Sequence, residues 1–126
     1  MYAYLIVFLG AGLGGAMRHG VNVAAAALFA PGFPFGTLCV NIAGSLVMGF
    51  LAEWFALKFD PGQHWRLFLT TGILGGFTTF SAFSLDAALL FERGTTSIAV
   101  VYVLLSVLAS VGALFVGLML VRHIAW

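Results

Sequence analysis

Thr37, Asn41 and Ser45 recur at every fourth position, and so do Tyr102, Ser106 and Ser110 further along the chain. Residues four apart on a helix stack on one face, so each set forms a line of neutral hydrogen-bonding groups. Hydroxyls and amides can stand in for water around an ion without adding charge of their own. Ser, Thr and small residues also let membrane helices approach closely, and their hydrogen bonds then act as glue. Asn41 asks for more than glue, because its two amide donors and its carbonyl must all be accommodated in apolar surroundings. Two polar lines together with Asn41 imply a lined path, without saying what moves along it.

Between the two lines lies TTGILGGFTTFSAFSLD, residues 70–86. Gly72, Gly75 and Gly76 weaken a helix there, and Thr78 and Thr79 are β-branched. A break is expected between about Gly75 and Thr79, which would free carbonyls from one half-helix and amides from the other. Freed backbone groups are tolerated in a membrane only where they are buried in protein or line a polar cavity. Converging carbonyl oxygens at that depth make a cation site. Phe80 and Phe83 share a face beside the break. They are either lipid-facing or core aromatics, or they turn electropositive ring edges toward an anion; composition does not choose. Arg18, set among glycines in GLGGAMRHG, is open to two readings as well. It is an anchor satisfied by helix C-terminal carbonyls, or it makes an electropositive vestibule that attracts anions.

The elements that must position these residues follow from an overwhelmingly apolar composition. Hydrophobic residues make up 63% of the 126 and charged residues 7%, where a soluble domain carries about a quarter charged. Residues 33–52, 67–85 and 94–121 hold no charged side chain, and each run is near or above the ~18–20 residues a spanning helix needs. Residues 2–29 read as one further span with Arg18 and His19 past its middle. A cleaved signal peptide is set aside, since no Lys or Arg precedes the apolar run and Arg18 interrupts it. The expected architecture is all-α and integral to the membrane: one domain, residues 1–126, with four transmembrane helices near 3–29, 34–57, 66–91 and 96–122, the third broken near mid-membrane.

Charge is sparse enough to be followed residue by residue. A net charge of +1 gives no reason to expect nucleic acid. Glu53 and Lys58 are expected to snorkel to the interface, and Asp86 and Glu92 to border the end of the third span. His19, His64 and His123 lack metal-ligand spacing, and the single Cys39 allows no intrachain disulfide. With four spans, Lys58, Arg66 and Arg122 share one side of the membrane, against Arg93, and Arg18 if it sits near its span's end. That bias is weak, so the chain is expected to insert either way up. Gly10 with Gly14, and Ala109 with Ala113, fit small-residue helix contacts.

Three motifs then stand in order: GGAMRH ending at His19, GTLCVNIAG at 36–44 and GILGGFTTFSAFS at 72–84. On these motifs the chain resembles the CrcB/Fluc family of fluoride channels, over essentially its whole length. The resemblance implies an antiparallel, dual-topology homodimer with two pores, lying in a bacterial plasma (inner) membrane and passing fluoride passively. It implies a central structural sodium ion at the dimer interface, held by backbone carbonyls of Gly75 and Thr78 from both copies. Phe80 and Phe83 would line the pore and Asn41 would face it. Thr37, Ser81 and Ser84 would extend a polar track with Tyr102, Ser106 and Ser110, and Arg18 matches the vestibule arginine. Ala82 stands where the family motif often has threonine, and Asp86 where it often has glutamate.

Other classes fit less of the sequence. A proton-coupled exporter of the small multidrug resistance type also has four spans, but it needs a membrane-embedded carboxylate, and the first span carries Arg18 and no acid. A noncatalytic membrane scaffold explains the glycines and hydroxyls as packing, but not the Asn41 line together with a helix break. No nucleophile–base pair or metal cluster is visible, so the sequence offers no enzyme.

Overall fold

The computed structural model describes residues 1–124. Lipid offers no partner to backbone N–H and C=O groups, so a chain this apolar must satisfy them internally. Among the described residues, every regular element is helical. The first helix is Tyr2–Leu28, the second Phe35–Leu57 and the last Thr96–Ile124. The third crossing, Gln63–Glu92, is composite. It begins as Gln63–Arg66, continues as the π-helical stretch Leu67–Leu74 and the single turn Gly75–Phe77, then restarts as Phe80–Glu92. All four crossings are long and apolar enough to span a membrane, which makes this a multi-pass membrane protein.

Short connections reverse the chain, and each contains a glycine at positive φ: Gly32, Gly62 and Gly94. At Gly94, with φ of 81°, the left-handed turn brings Thr95 back over the preceding helix. Its N–H and its hydroxyl then both donate to Leu90 O, at 3.1 and 2.6 Å. The third crossing therefore ends firmly before the last helix begins.

Glycine also decides which helices touch. A Cβ added at Gly10 would stand 2.8 Å from Phe68 O and 2.9 Å from Gly72 Cα, and one at Gly14 would run into Ile73 O. Gly76 presses back against Ala11. The small-residue contact expected at Gly10 and Gly14 thus takes the first half of the third crossing as its partner. Gly49 and Gly117 do the same for the second and last helices, where added Cβ atoms would strike Leu114 O and Leu46 O. Beyond the break the chain changes partner. Phe83 and Leu90 join Leu38, Ala99 and Tyr102 in a buried cluster between the second helix, the third crossing and the last helix. One crossing serves two helix pairs because it is broken between them.

Two local features add to the sequence reading. Composition does not announce the π-helical stretch, where Gly75 N–H reaches back five residues to Thr70 O. Glu53, expected at the interface, is 14% exposed in its side chain and accepts from Arg122 Nη2 at 2.9 Å. A carboxylate this close to the apolar seam is held by a cation, not by water.

Candidate functional site

The helix break is two residues wide. Thr78 (φ −84°, ψ 159°) and Thr79 (φ −152°, ψ 124°) are extended. Thr79 begins the next helix as its N-cap, with Oγ1 accepting from Ala82 N–H at 3.1 Å. Asn41 holds the same residue by its backbone. Its Oδ1 accepts from Thr79 N–H at 2.8 Å, and its Nδ2 donates to Thr79 O at 3.0 Å. Arg18 reaches the other lip of the break, where Nε donates to Gly76 O at 3.1 Å. Of the two readings open for Arg18, this is the contact with a helix C-terminal carbonyl.

These bonds have a consequence for Gly75 and Thr78. A continued α-helix would give Thr79 N–H to Gly75 O and Ala82 N–H to Thr78 O. Asn41 and the Thr79 hydroxyl take those two donors instead. Both carbonyls are released from their helical partners, and Gly75 lies on an exposed face of the chain.

Beside the break is a cavity of about 340 Å³. It gathers Asn41, Ser45, Thr78, Thr79, Phe80, Phe83, Ser106 and Ser110 from three crossings. The two polar lines therefore meet across it. The hydroxyls of Ser106 and Ser110 are buried and have no hydrogen-bond partner among the described residues. Asn41 has one amide hydrogen left after its bond to Thr79. The wall of this cavity thus carries hydrogen-bond donors with nothing of the protein to bind.

The aromatic pair divides. Phe83 is 9% exposed and sits in the buried cluster, whereas Phe80 is 77% exposed. Their ring centroids are 5.6 Å apart and inclined at 52°. The remaining track residues lie elsewhere. Tyr102 is fully buried and its hydroxyl donates to Asp86 Oδ2 at 3.2 Å. Thr37 lines a separate crevice together with Asp86. Ser84 is exposed and donates to Phe80 O, while Ser81 shares a hydrogen bond with the Thr79 hydroxyl.

Asp86 is a correction. Expected at the border of the span, it sits mid-helix, half-buried and bound by Tyr102. Its place follows from the length of the restarted helix: Phe80–Glu92 runs past the end of the uncharged stretch, so position 86 falls in its second turn. Thr79 is the residue the sequence reading used only as a helix weakener. Its N-cap role was signalled by its place directly before the apolar run FSAFSL.

The comparisons with known proteins bear on all four crossings. The family model described as CrcB-like protein, Camphor Resistance (CrcB), matches residues 5–118. A protein of Methylobacterium nodulans named fluoride-specific ion channel FluC is 60% identical over 119 residues, 94% of this chain and 95% of its own length. One of the same name from Granulibacter bethesdensis is 59% identical over 122 residues, 97% of this chain and 96% of its own. A Nitrobacter hamburgensis protein named fluoride-specific ion channel FluC 2 is 54% identical over 121 residues, 96% and 98% of the two chains. The match enters at the first helix and runs deep into the last, so the break, the Asn41 clamp and the hydroxyl-lined cavity all lie within it, and the chain belongs to the CrcB-like protein family.

Proposed function

We propose that the chain is a fluoride channel, a passive conduit and not an enzyme. The observation that carries this reading is the cavity that gathers the Asn41 amide with Ser106 and Ser110, whose hydroxyls are buried and poorly satisfied. A buried polar group without a partner costs about 1–3 kcal/mol, and an anion in the cavity would offset that cost as the hydroxyls turn toward it. The names borne by the relatives support fluoride as the anion.

Fluoride is small and strongly hydrated, so its path must return what its water shell supplied. Asn41 and the serine hydroxyls offer neutral donors, which hold an anion without trapping it. Phe80 and Phe83 offer ring edges, whose positive side suits an anion better than a cation.

The working unit in this proposal is an antiparallel, dual-topology dimer with two pores. The weak charge bias between the two sides suits insertion both ways up. Gly75 and Phe80 lie exposed on the single chain, at the freed backbone of the break, and freed backbone at membrane depth needs protein cover. The released carbonyls of Gly75 and Thr78 suit a hard monovalent cation, which takes neutral oxygen ligands; two copies would supply four. Sodium bound there would add a fixed positive charge in a low-dielectric setting. In a bacterial inner membrane the inside-negative potential drives fluoride out, at ~2.3 kcal/mol per charge per 100 mV.

Liposomes holding the purified protein test the reading, with chloride and an imposed proton gradient as controls. Electrogenic fluoride efflux that needs no proton gradient supports the channel. Folded, dimeric protein that passes no fluoride defeats it.

A further inference from the structure

A second crevice, of about 540 Å³, shares no lining residue with the Asn41 cavity and has Asp86, the partner of Tyr102, in its wall. Three of its lining residues are polar in side chain: Asn22, Thr37 and Asp86. It draws on two of the same elements as the central cavity. Thr37 is one helical turn from Asn41, and Asp86 is three residues past Phe83, both of which line the central cavity. Asn22 enters from the first helix, one turn beyond Arg18, and its Oδ1 fills the space left by the missing side chain of Gly36. No described residue hydrogen-bonds the Asn22 amide.

An unpaired amide on a membrane helix is costly unless water or a ligand reaches it. A carboxylate such as Asp86 gives an anion no donor, and it accepts from the Tyr102 hydroxyl. An anion in the crevice must therefore be held from the other walls. Asn22 and Thr37 are the residues there with donors to offer. Asn22 carries two amide hydrogens and no charge, so it can replace water on the ion and release it again.

Resting on the fluoride-channel reading above, we infer that this crevice is an aqueous mouth of the path and that Asn22 is a pathway residue within it. The bland role for Asn22 is to pack against Gly36. The two roles separate cleanly by experiment.

Asn22→Asp keeps the shape against Gly36 and removes both donors. Fluoride efflux should fall at least about tenfold, the weight of a hydrogen bond to an ion, with the melting temperature of the purified protein unchanged. Asn22→Ala serves the same purpose should the aspartate variant not fold. Asn22→Cys, in a Cys39→Ala background, should react with a charged, water-soluble thiosulfonate, and the reaction should block efflux. Parental efflux through a folded Asn22→Asp or Asn22→Ala variant overturns the pathway role. A cysteine that stays unreactive overturns the aqueous mouth, whatever the flux. If the unsubstituted protein passes no fluoride, the channel reading fails by that result, and reactivity of the cysteine still decides whether the crevice is wet.

Discussion

Asn41 and Thr79, on different crossings, exchange two hydrogen bonds: Thr79 N–H donates to Asn41 Oδ1 at 2.8 Å and Asn41 Nδ2 donates to Thr79 O at 3.0 Å. This bidentate clamp makes one side chain responsible for both the break and the cavity beside it. Asn41→Asp keeps the acceptor for Thr79 N–H but sets a carboxylate oxygen against Thr79 O. The variant should lose about 1–3 kcal/mol of stability from the unpaired carbonyl and most of its fluoride flux. Thermal melting in detergent and liposome efflux measure the two effects separately. Parental flux from the aspartate protein would remove Asn41 from the path.

The Thr79 hydroxyl caps the restarted helix through Ala82 N–H at 3.1 Å. Thr79→Ala should cost about 1 kcal/mol, the usual value of an N-cap. Thr79→Ser keeps the oxygen in reach and should cost little. Equal melting temperatures for the two variants would show that Asn41 alone holds the break.

Ser106 and Ser110 give the sharpest separation of function from packing. The Ser110 hydroxyl bonds to nothing among the described residues, so Ser110→Ala removes no protein–protein hydrogen bond, whereas the Ser106 hydroxyl lies beside that of Tyr102. Removing a buried unsatisfied polar group is neutral or stabilising. Ser110→Ala should melt no lower than the parent while its fluoride efflux drops, and Ser106→Ala should lose efflux as well. Full efflux through the double variant would mean that the cavity is not part of the conduit.

Much of this arrangement could be read from residue spacing, and the remainder depended on facts that spacing does not carry. The polar lines are legible because a helix repeats every 3.6 residues, so positions 37, 41 and 45 had to share a face. The break was legible because glycines and β-branched threonines cluster at it. Its mechanism was not: that Asn41 would take the donor meant for Gly75 O depends on which helices lie side by side. The π-helical stretch Leu67–Leu74 was hidden for a related reason, since a five-residue hydrogen-bond step has no composition of its own. Asp86 was misplaced because the uncharged run ends at Leu85, whereas the restarted helix runs on to Glu92. Phe80 and Phe83 were treated alike because they share a helix face, yet one is buried in the chain and the other is not.

Gly14 offers a test of the fold with an internal control. A Cβ there would strike Ile73 O, whereas one at Gly12 would meet nothing within 4 Å. Gly14→Ala must push the first helix away from the third crossing, and should cost about 1–3 kcal/mol, as overpacking does. Gly12→Ala should be neutral or slightly stabilising, because alanine favours the helix. Unfolding of the two purified variants side by side gives the comparison. Equal stability would mean that the first helix does not seat against the third crossing at Gly14.

The difference in exposure between Phe80 and Phe83 turns an ambiguous pair into a decisive one. Phe83→Ile disturbs the cluster with Leu38, Leu90 and Tyr102, so lost flux there would come mixed with lost stability. Phe80 is 77% exposed on the single chain, and Phe80→Ile should leave the folding of the subunit nearly unchanged. Isoleucine fills much of the ring's space but has no quadrupole. If the ring edge meets the anion, Phe80→Ile protein should be folded and dimeric yet pass fluoride poorly. Phe80→Met should keep more flux, since its side chain is polarizable and adapts to gaps. Should Phe80→Ile conduct at the parental rate, the exposed ring is lipid-facing or interfacial packing, and donors alone, from Asn41, Ser106 and Ser110, must carry the anion past the break.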